Sequence, residues 1–447
     1  MPNNYPNAGE IRRLAELIDV TSMQKHEYGA KGIDEEIAEI ESQLSAALGR
    51  IKNLPVDSEL KSLEPDALAQ IRSLCPEGPR KLLAGLPEDY DDRLKGAMFA
   101  RFAGVLLGSV VEGMSVEAME EFAAATGDEF PPAKYWSKAR SPFNRKYFVC
   151  REYEYAGSGM TYVAADDDII YVIVALMILE KYGADFTAAQ VGDFWHGYLP
   201  WVWLDMGYAL SRYVNENVGA EHAADDNPYG QLLCSFIRID GYAWCVPGQP
   251  EKAAELAYKD AYFSHRRNGL YGAMFFAAAE AAAFAVNDPL DAVKIGLSEI
   301  PENCGLAKYV RMALNENGRV KNYREARAWL DRHLGGMSIN HTINNACAAV
   351  MGLMIGGTDV SRVISETVAI GLDNDCTAGS AGSIAGGVAG AANIPERWTK
   401  PFNNTIRTYI KGHEYVYIDD LLRRFKNQAN RLASIITDIT ETETERG

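Results

Sequence analysis

The feature that most constrains this chain is how little period-two alternation it contains. From about Asp91 onward, Ala-rich segments alternate with Gly, Pro and Asn breaks, and the Val-Ile-Tyr runs are isolated. A half-buried strand needs apolar and polar residues in alternation. The segments at 251–259 (EKAAELAYK), 272–286 and 324–333 are instead rich in strong helix formers. The expected fold class is therefore all-α. No fixed period in the range of about 20–50 residues recurs, which excludes a solenoid.

Residues 1–90 read differently from 91–447, so two domains are expected: an N-terminal helical extension and a main body. Ile33, Ile37, Ile40, Leu44, Leu48 and Ile51 recur at steps of three and four, with Glu35, Glu36, Glu39 and Glu41 between them. That is an amphipathic helix with one apolar stripe. Pro55, Pro65, Pro76, Pro79 and Pro87 then punctuate short helical pieces. The arm is expected either to pair subunits in a homo-oligomer or to cap the core. The tail at 419–436 reads as a further amphipathic helix with a frayed polar end.

Composition narrows the function classes. Hydrophobic residues make up 47% and charged residues 23%, which excludes a disordered chain. The net charge of −17 argues against a general nucleic-acid binder and against docking on an anionic membrane. The apolar windows at 346–357 and 169–179 fall short of the ~20 residues that span a bilayer. The seven cysteines, an odd number with no C-x-x-C pair, suit a reducing compartment. With a start that does not read as a secretory signal, the expectation is a cytoplasmic protein.

Four segments are candidates for chemistry. Asp166-Asp167-Asp168 precede the apolar run IIYVIVALMIL. At a helix N-terminus they are either a solvated acidic cap or ligands for a hard cation, since Mg²⁺ and Mn²⁺ take carboxylate oxygens. Gly371-Leu372-Asp373-Asn374-Asp375-Cys376-Thr377 puts two carboxylates on one turn, followed by Gly382, Gly386 and Gly390 at steps of four. Those small residues permit close helix contact. In RFAGVLLGSVVEG, Gly104 and Gly108 do the same, and Glu112 ends the run as either an exposed Glu or a site carboxylate. Finally, Arg238, Asp240 and the loop SHRRNGLYG, with His265, Asn268 and Gly269, read as polar segments able to face a ligand.

Taken together and in this order, these segments resemble the ADP-ribosylglycohydrolase family, which includes the dinitrogenase-reductase-activating glycohydrolase and the ADP-ribosylhydrolases. The matching runs also include HTINNACAAVMGLMIGG and IPERW, and the likeness spans about residues 93–411. The resemblance implies a compact helical bundle with a centre of two Mg²⁺ ions, or Mn²⁺, in a cleft. It assigns Asp166, Asp167, Asp168, Asp373 and Asp375 to the metals. Glu112, or Asp167 of the first cluster, would be the general base on water. His265 would contact ADP-ribose, with Asn268 and Gly269 in the same loop. Two departures stand out: Ala165 where members carry Thr before the paired aspartates, and Cys376 where they carry Thr after the second pair. Each removes a hydroxyl ligand.

The function implied is metal-dependent hydrolysis of the glycosidic bond between ADP-ribose and a protein side chain or small adduct. Two alternatives stand beside it: hydrolysis of another ribosyl compound such as a nucleoside, and ADP-ribose binding with weak or no catalysis. The six carboxylates would repel one another and raise each other's pKa if the fold gathers them, so bound cations are expected to stabilise it.

Overall fold

The computed structural model describes residues 5, 6 and 8–444, with side chains through residue 434. Twenty α-helices and two antiparallel two-stranded hairpins make up its regular structure among the described residues. The fold is all-α. None of the helices is long and apolar enough to cross a membrane.

The chain divides into two units, Met1–Ser62 and Leu63–Gly447. The first holds the helices Gly9–Glu27, Ile33–Lys52 and Ser58–Ser62, none of which buries a residue. The stripe from residue 33 to 51 lies on the second of these, with Leu44, Leu48 and Ile51 exposed.

Residues 63–90, placed with the extension by the proline spacing, make specific contacts with the second unit. The Glu64 carboxylate accepts from Asn268 Nδ2 (3.0 Å) and from the Gly305 amide (2.9 Å), and it pairs with Arg267. Arg80 pairs with Glu299 at 2.8 Å. These ties make the stretch after Ser62 part of the second unit, although its prolines read like those of a linker.

Two helices form the spine of the second unit, Tyr90–Ser109 and Asn374–Ala389. Glycines let them meet backbone to backbone. A Cβ on Gly386 would lie 2.2 Å from the Gly96 carbonyl oxygen, and one on Gly108 would lie 2.4 Å from Asp375 Cα. The anticipated small-residue face is therefore real for Gly104, Gly108, Gly382 and Gly386. Gly390 serves a different end: with φ 76° it terminates the helix.

Across from this pair runs Asn268–Ala283, apolar around its circumference and buried at every residue, as befits a central helix. Arg93 locks it to the spine. Its Nη1 donates to the carbonyls of Ala283 (3.0 Å), Val286 (3.2 Å) and Gly387 (3.2 Å), groups that helix C-termini leave without internal partners. The helix Asp167–Tyr182 is buried from Asp167 through Leu179 and ends at Gly183. The tail helix Ile418–Thr444 stays helical into the polar stretch expected to fray, and 445–447 lie outside the described residues.

The spine gives a direct test. Gly386→Ala should destabilise the protein by about 1–3 kcal/mol through overpacking. Gly197→Ala should instead add up to about 1 kcal/mol, because that helical position has nothing within 4 Å. Paired urea titrations check the opposite signs; two changes of the same sign would contradict the close approach.

Candidate active site

Two helix N-termini and one helix C-terminus define the site. Asp166 caps Asp167–Tyr182, its Oδ1 accepting from the Asp168 amide at 3.2 Å, and Asp373 holds the equivalent place before Asn374–Ala389. Free amides and the helix dipole favour negative charge at both places. Ser109, at the end of its helix, brings the two together. Its Oγ donates to Asp166 Oδ2 at 2.6 Å and lies 3.3 Å from Asp375 Oδ2. The packing at Gly108 is what allows this reach.

The convergence is tight. One ligand atom each from Asp168, Asp375 and Cys376 lie within 4.8 Å of one another. The same holds for Glu112, Asp373 and Asp375, and for Asp166, Asp167 and Asp168. All five aspartates are buried, whereas Glu112 is partly exposed.

Side chains that the sequence left without such a role balance this charge. Lys146, on the strand Arg145–Lys146, places Nζ 2.8 Å from Glu112 Oε2, 3.3 Å from Asp375 Oδ2 and 3.5 Å from Asp166 Oδ2. Arg101, wholly buried behind the site, reaches Asp168 Oδ1 at 3.2 Å and Asp240 Oδ1 at 3.1 Å. That gives Asp240 a structural counter-ion. Arg238 is likewise internal, paired with Asp260. Tyr147 Oη donates to Asp167 Oδ1 at 2.5 Å, and Asn340 Nδ2 donates to Asp373 Oδ2. Asn345 accepts from the Asp373 amide and donates to the Ile339 and His341 carbonyls, so it fixes the loop that carries Asn340.

Burial still dominates the carboxylates. It pushes Asp166 up to about 7 despite the Lys146 ammonium, and it raises Asp167, Asp168 and Asp373 well above the ordinary range. The charge of Asp375 raises Glu112, with Lys146 opposing. Asp375 goes the other way. Burial works against its charged form, but Lys146 and the hydrogen bonds from Asp373 and the Cys376 amide hold it below its usual value.

Above these groups opens a cavity of about 280 Å³. Glu112, Asp167, Asp168, Asp373, Asp375 and Cys376 form its acidic side, and Leu204, Leu232, Ile339 and Trp203 an apolar one. Tyr147 also lines it, stacked on Trp201 with ring centroids 5.5 Å apart. Tyr147 and Phe148 adopt φ of 51° and 64°, unusual for non-glycine residues and costing about 1–3 kcal/mol each.

His265, Asn268 and Gly269 do not line this cavity. Each is buried behind it. His265 sits between Ser264 Oγ (2.8 Å) and Asp205 Oδ2 (3.1 Å), so it meets the cavity only through Asp205, which does line it. Asn268 is held by Glu64 and Gln231, and a Cβ on Gly269 would strike the Gly230 carbonyl at 2.3 Å. At these positions the three residues brace the wall of the cavity.

The donor set suits a hard divalent cation, because carboxylate oxygens dominate it. One buried oxygen, Asp373 Oδ1 on the cavity side, has no hydrogen-bond partner. A cation would satisfy it. Ala165 contributes no side-chain ligand, and the Cys376 thiol donates to Asp168 Oδ2 at 3.1 Å.

A family model described as ADP-ribosylglycohydrolase matches residues 86–431. The chain belongs to the ADP-ribosylglycohydrolase family. Its membership supports a glycohydrolase-type activity in a family that is generally hydrolytic and typically metal-dependent. None of the curated proteins compared matches the chain. A solved structure described as an "ADP-ribosylglycohydrolase-related protein complex" is similar over 78% of this chain and 100% of that chain, with 15% identity and a TM-score of 0.45.

A raised carboxyl stabilises the folded state below its ordinary pKa, and this is lost as pH climbs through the folded value. Asp166, Asp167, Asp168 and Asp373 are all raised, and only Asp375 among the five is lowered. The metal-free site therefore destabilises the ADP-ribosylglycohydrolase fold progressively from pH 3.8 towards about 7. Saturating Mg²⁺ should raise the Tm more at a pH of about 7.5 than at about 5.5. Equal shifts at both values, read by scanning calorimetry, would contradict this charge balance.

Proposed function

We propose that this chain is a metal-dependent hydrolase that cleaves the glycosidic bond between ADP-ribose and an acceptor, either a protein side chain or a small adduct. The observation that carries the reading is the meeting of both aspartate clusters with Glu112 on one side of a single cavity. Asp166, Asp167, Asp168, Asp373 and Asp375 would hold the cation, Mg²⁺ or Mn²⁺. When bound, it would supply positive charge and Lewis acidity to the ribose hydroxyls next to the anomeric carbon, the atom at which the oxocarbenium-like transition state develops.

The protein's own groups have separable tasks. Glu112 stands at the rim, where its carboxylate can take a proton from water entering the cavity. Its partial exposure keeps it in exchange with solvent, unlike the five buried aspartates. Asn340 and Tyr147 orient Asp373 and Asp167 through direct hydrogen bonds. Trp203, Leu204 and Ile339, all solvent-exposed, offer apolar surface to the ring faces of the substrate. Asp205, with its charge held by His265, would accept hydrogen bonds from sugar hydroxyls. The substrate's pyrophosphate would enter an acidic chain, which is a further reason for a cation in the site.

Purified protein with Mg²⁺ should release ADP-ribose from peptides mono-ADP-ribosylated on arginine or serine. Glu112→Gln should lower kcat by about 10²–10⁴-fold, the usual contribution of a general base. Asp373→Ala and Asp167→Ala should abolish turnover while circular dichroism shows a folded protein. Free ADP-ribose bound without turnover of either conjugate would favour a binding protein instead. Turnover of nucleosides alone would place the activity on another ribosyl compound.

A further inference from the structure

Lys146 lies where a cation would sit. Its Nζ is within 3.5 Å of carboxylate oxygens from Glu112, Asp166 and Asp375. Two of these oxygens, Asp166 Oδ2 and Asp375 Oδ2, are the pair that Ser109 brings together, so the ammonium occupies the junction between the clusters. A divalent ion bound by the same oxygens would need that volume. The two cations exclude each other, through both contact and charge.

The other acidic groups interleave with the partners of Lys146: Asp373 offers an atom within 4.8 Å of ones from Glu112 and Asp375, and Asp168 one within 4.8 Å of Asp375 and Cys376. Asp373 Oδ1 is buried and unpartnered, and Asp167, Asp168 and Cys376 line the cavity beside it. Lys146 touches none of these four residues among its ion pairs. Lys146 thus neutralises one part of the acidic cluster and leaves Asp373 Oδ1 without a partner.

The ammonium is carried by a short hairpin. Lys146 pairs with Cys150 in the hairpin of Arg145–Lys146 and Cys150–Arg151, whose tip carries the two left-handed residues Tyr147 and Phe148. Tyr147 is anchored inward by Asp167 and by stacking on Trp201, while Phe148 is 73% exposed. The Lys146 ammonium can withdraw by rotation of its flexible four-carbon stem, from a hairpin of only two paired positions.

We propose that Lys146 is a tethered cation in place of one metal ion. This chain then binds its first divalent ion at the unpartnered Asp373 Oδ1, and admits a second only as the Lys146 ammonium withdraws. The proposal rests on the metal-dependent reading above. It also accounts for a family member that lacks hydroxyl ligands at Ala165 and Cys376, since a site with one tethered cation needs fewer ligands for metal.

The test counts Mn²⁺ bound to the full chain, by electron paramagnetic resonance of the free ion across a titration. The wild type should bind one Mn²⁺ with a second at least about tenfold weaker. In Lys146→Met, and in Lys146→Gln as a second variant, the second ion should tighten so that this gap closes by about tenfold or more. Arg140→Gln removes a nearby positive charge that acts on Glu112 without touching the junction, so it should shift both affinities together and leave the gap. Two ions bound with equal affinity by the wild type, or a gap unchanged in the Lys146 variants, would overturn the tethered-cation proposal and leave the hydrolase reading standing. No Mn²⁺ bound at millimolar concentration by wild type and variants alike would remove both.

Discussion

Everything at this site follows from putting six carboxylates in one place and burying five of them. Like charges at such separations repel strongly, and burial makes each costlier to ionise. The fold answers with aligned helix N-termini, the Arg101 guanidinium behind, the Lys146 ammonium in front, and hydrogen bonds from Ser109, Tyr147 and Asn340. It still leaves Asp373 Oδ1 without a partner and several carboxyls raised. An arrangement that is stable yet short of positive charge is poised to take up a cation. Such tension is characteristic of functional sites.

That arrangement is held by backbone packing. The spine helices approach so closely at Gly96, Gly108 and Gly386 that no side chain fits between them, and the approach delivers Asp375 to Ser109. Arg93 clamps the far ends of the spine and of the central Asn268–Ala283 helix through their carbonyls. Rigid elements thus supply the metal-side carboxylates, while Lys146, Tyr147 and Asn340 come from a hairpin and a loop. The division suits a centre whose ligands are fixed and whose access can change.

What could be read from the chain without coordinates was uneven, and the reasons are physical. Asp166–Asp168 and the Asp-x-Asp at 373–375 were legible because helix-opening carboxylates cluster in sequence as they do in space. The glycine spacing foretold the close helix contact, since a ladder at steps of four has one face. Lys146 and Asn340 come singly from a hairpin and a loop, where no periodicity announces which way a side chain turns, and Asp205 is a lone acid in the first turn of the helix Leu204–Asn215. Ser109 sat unmarked one turn before Glu112, although a hydroxyl at that spacing was a usable signal. His265 was visible as a polar residue in a glycine-bearing loop, but not its inward rotation onto Asp205. Prolines made residues 63–90 legible as broken helix, while the ties of Glu64 and Arg80 to the second unit carry no sequence signal.

The central claim is that the two aspartate clusters share divalent cation. Crystals soaked in Mn²⁺ and measured at a wavelength where manganese scatters anomalously test it most directly. The account predicts an anomalous peak within about 2.3 Å of carboxylate oxygens from both clusters, with Asp373 Oδ1 among them. A fully soaked crystal with no peak between Asp168 and Asp373, or with peaks touching one cluster alone, would contradict it.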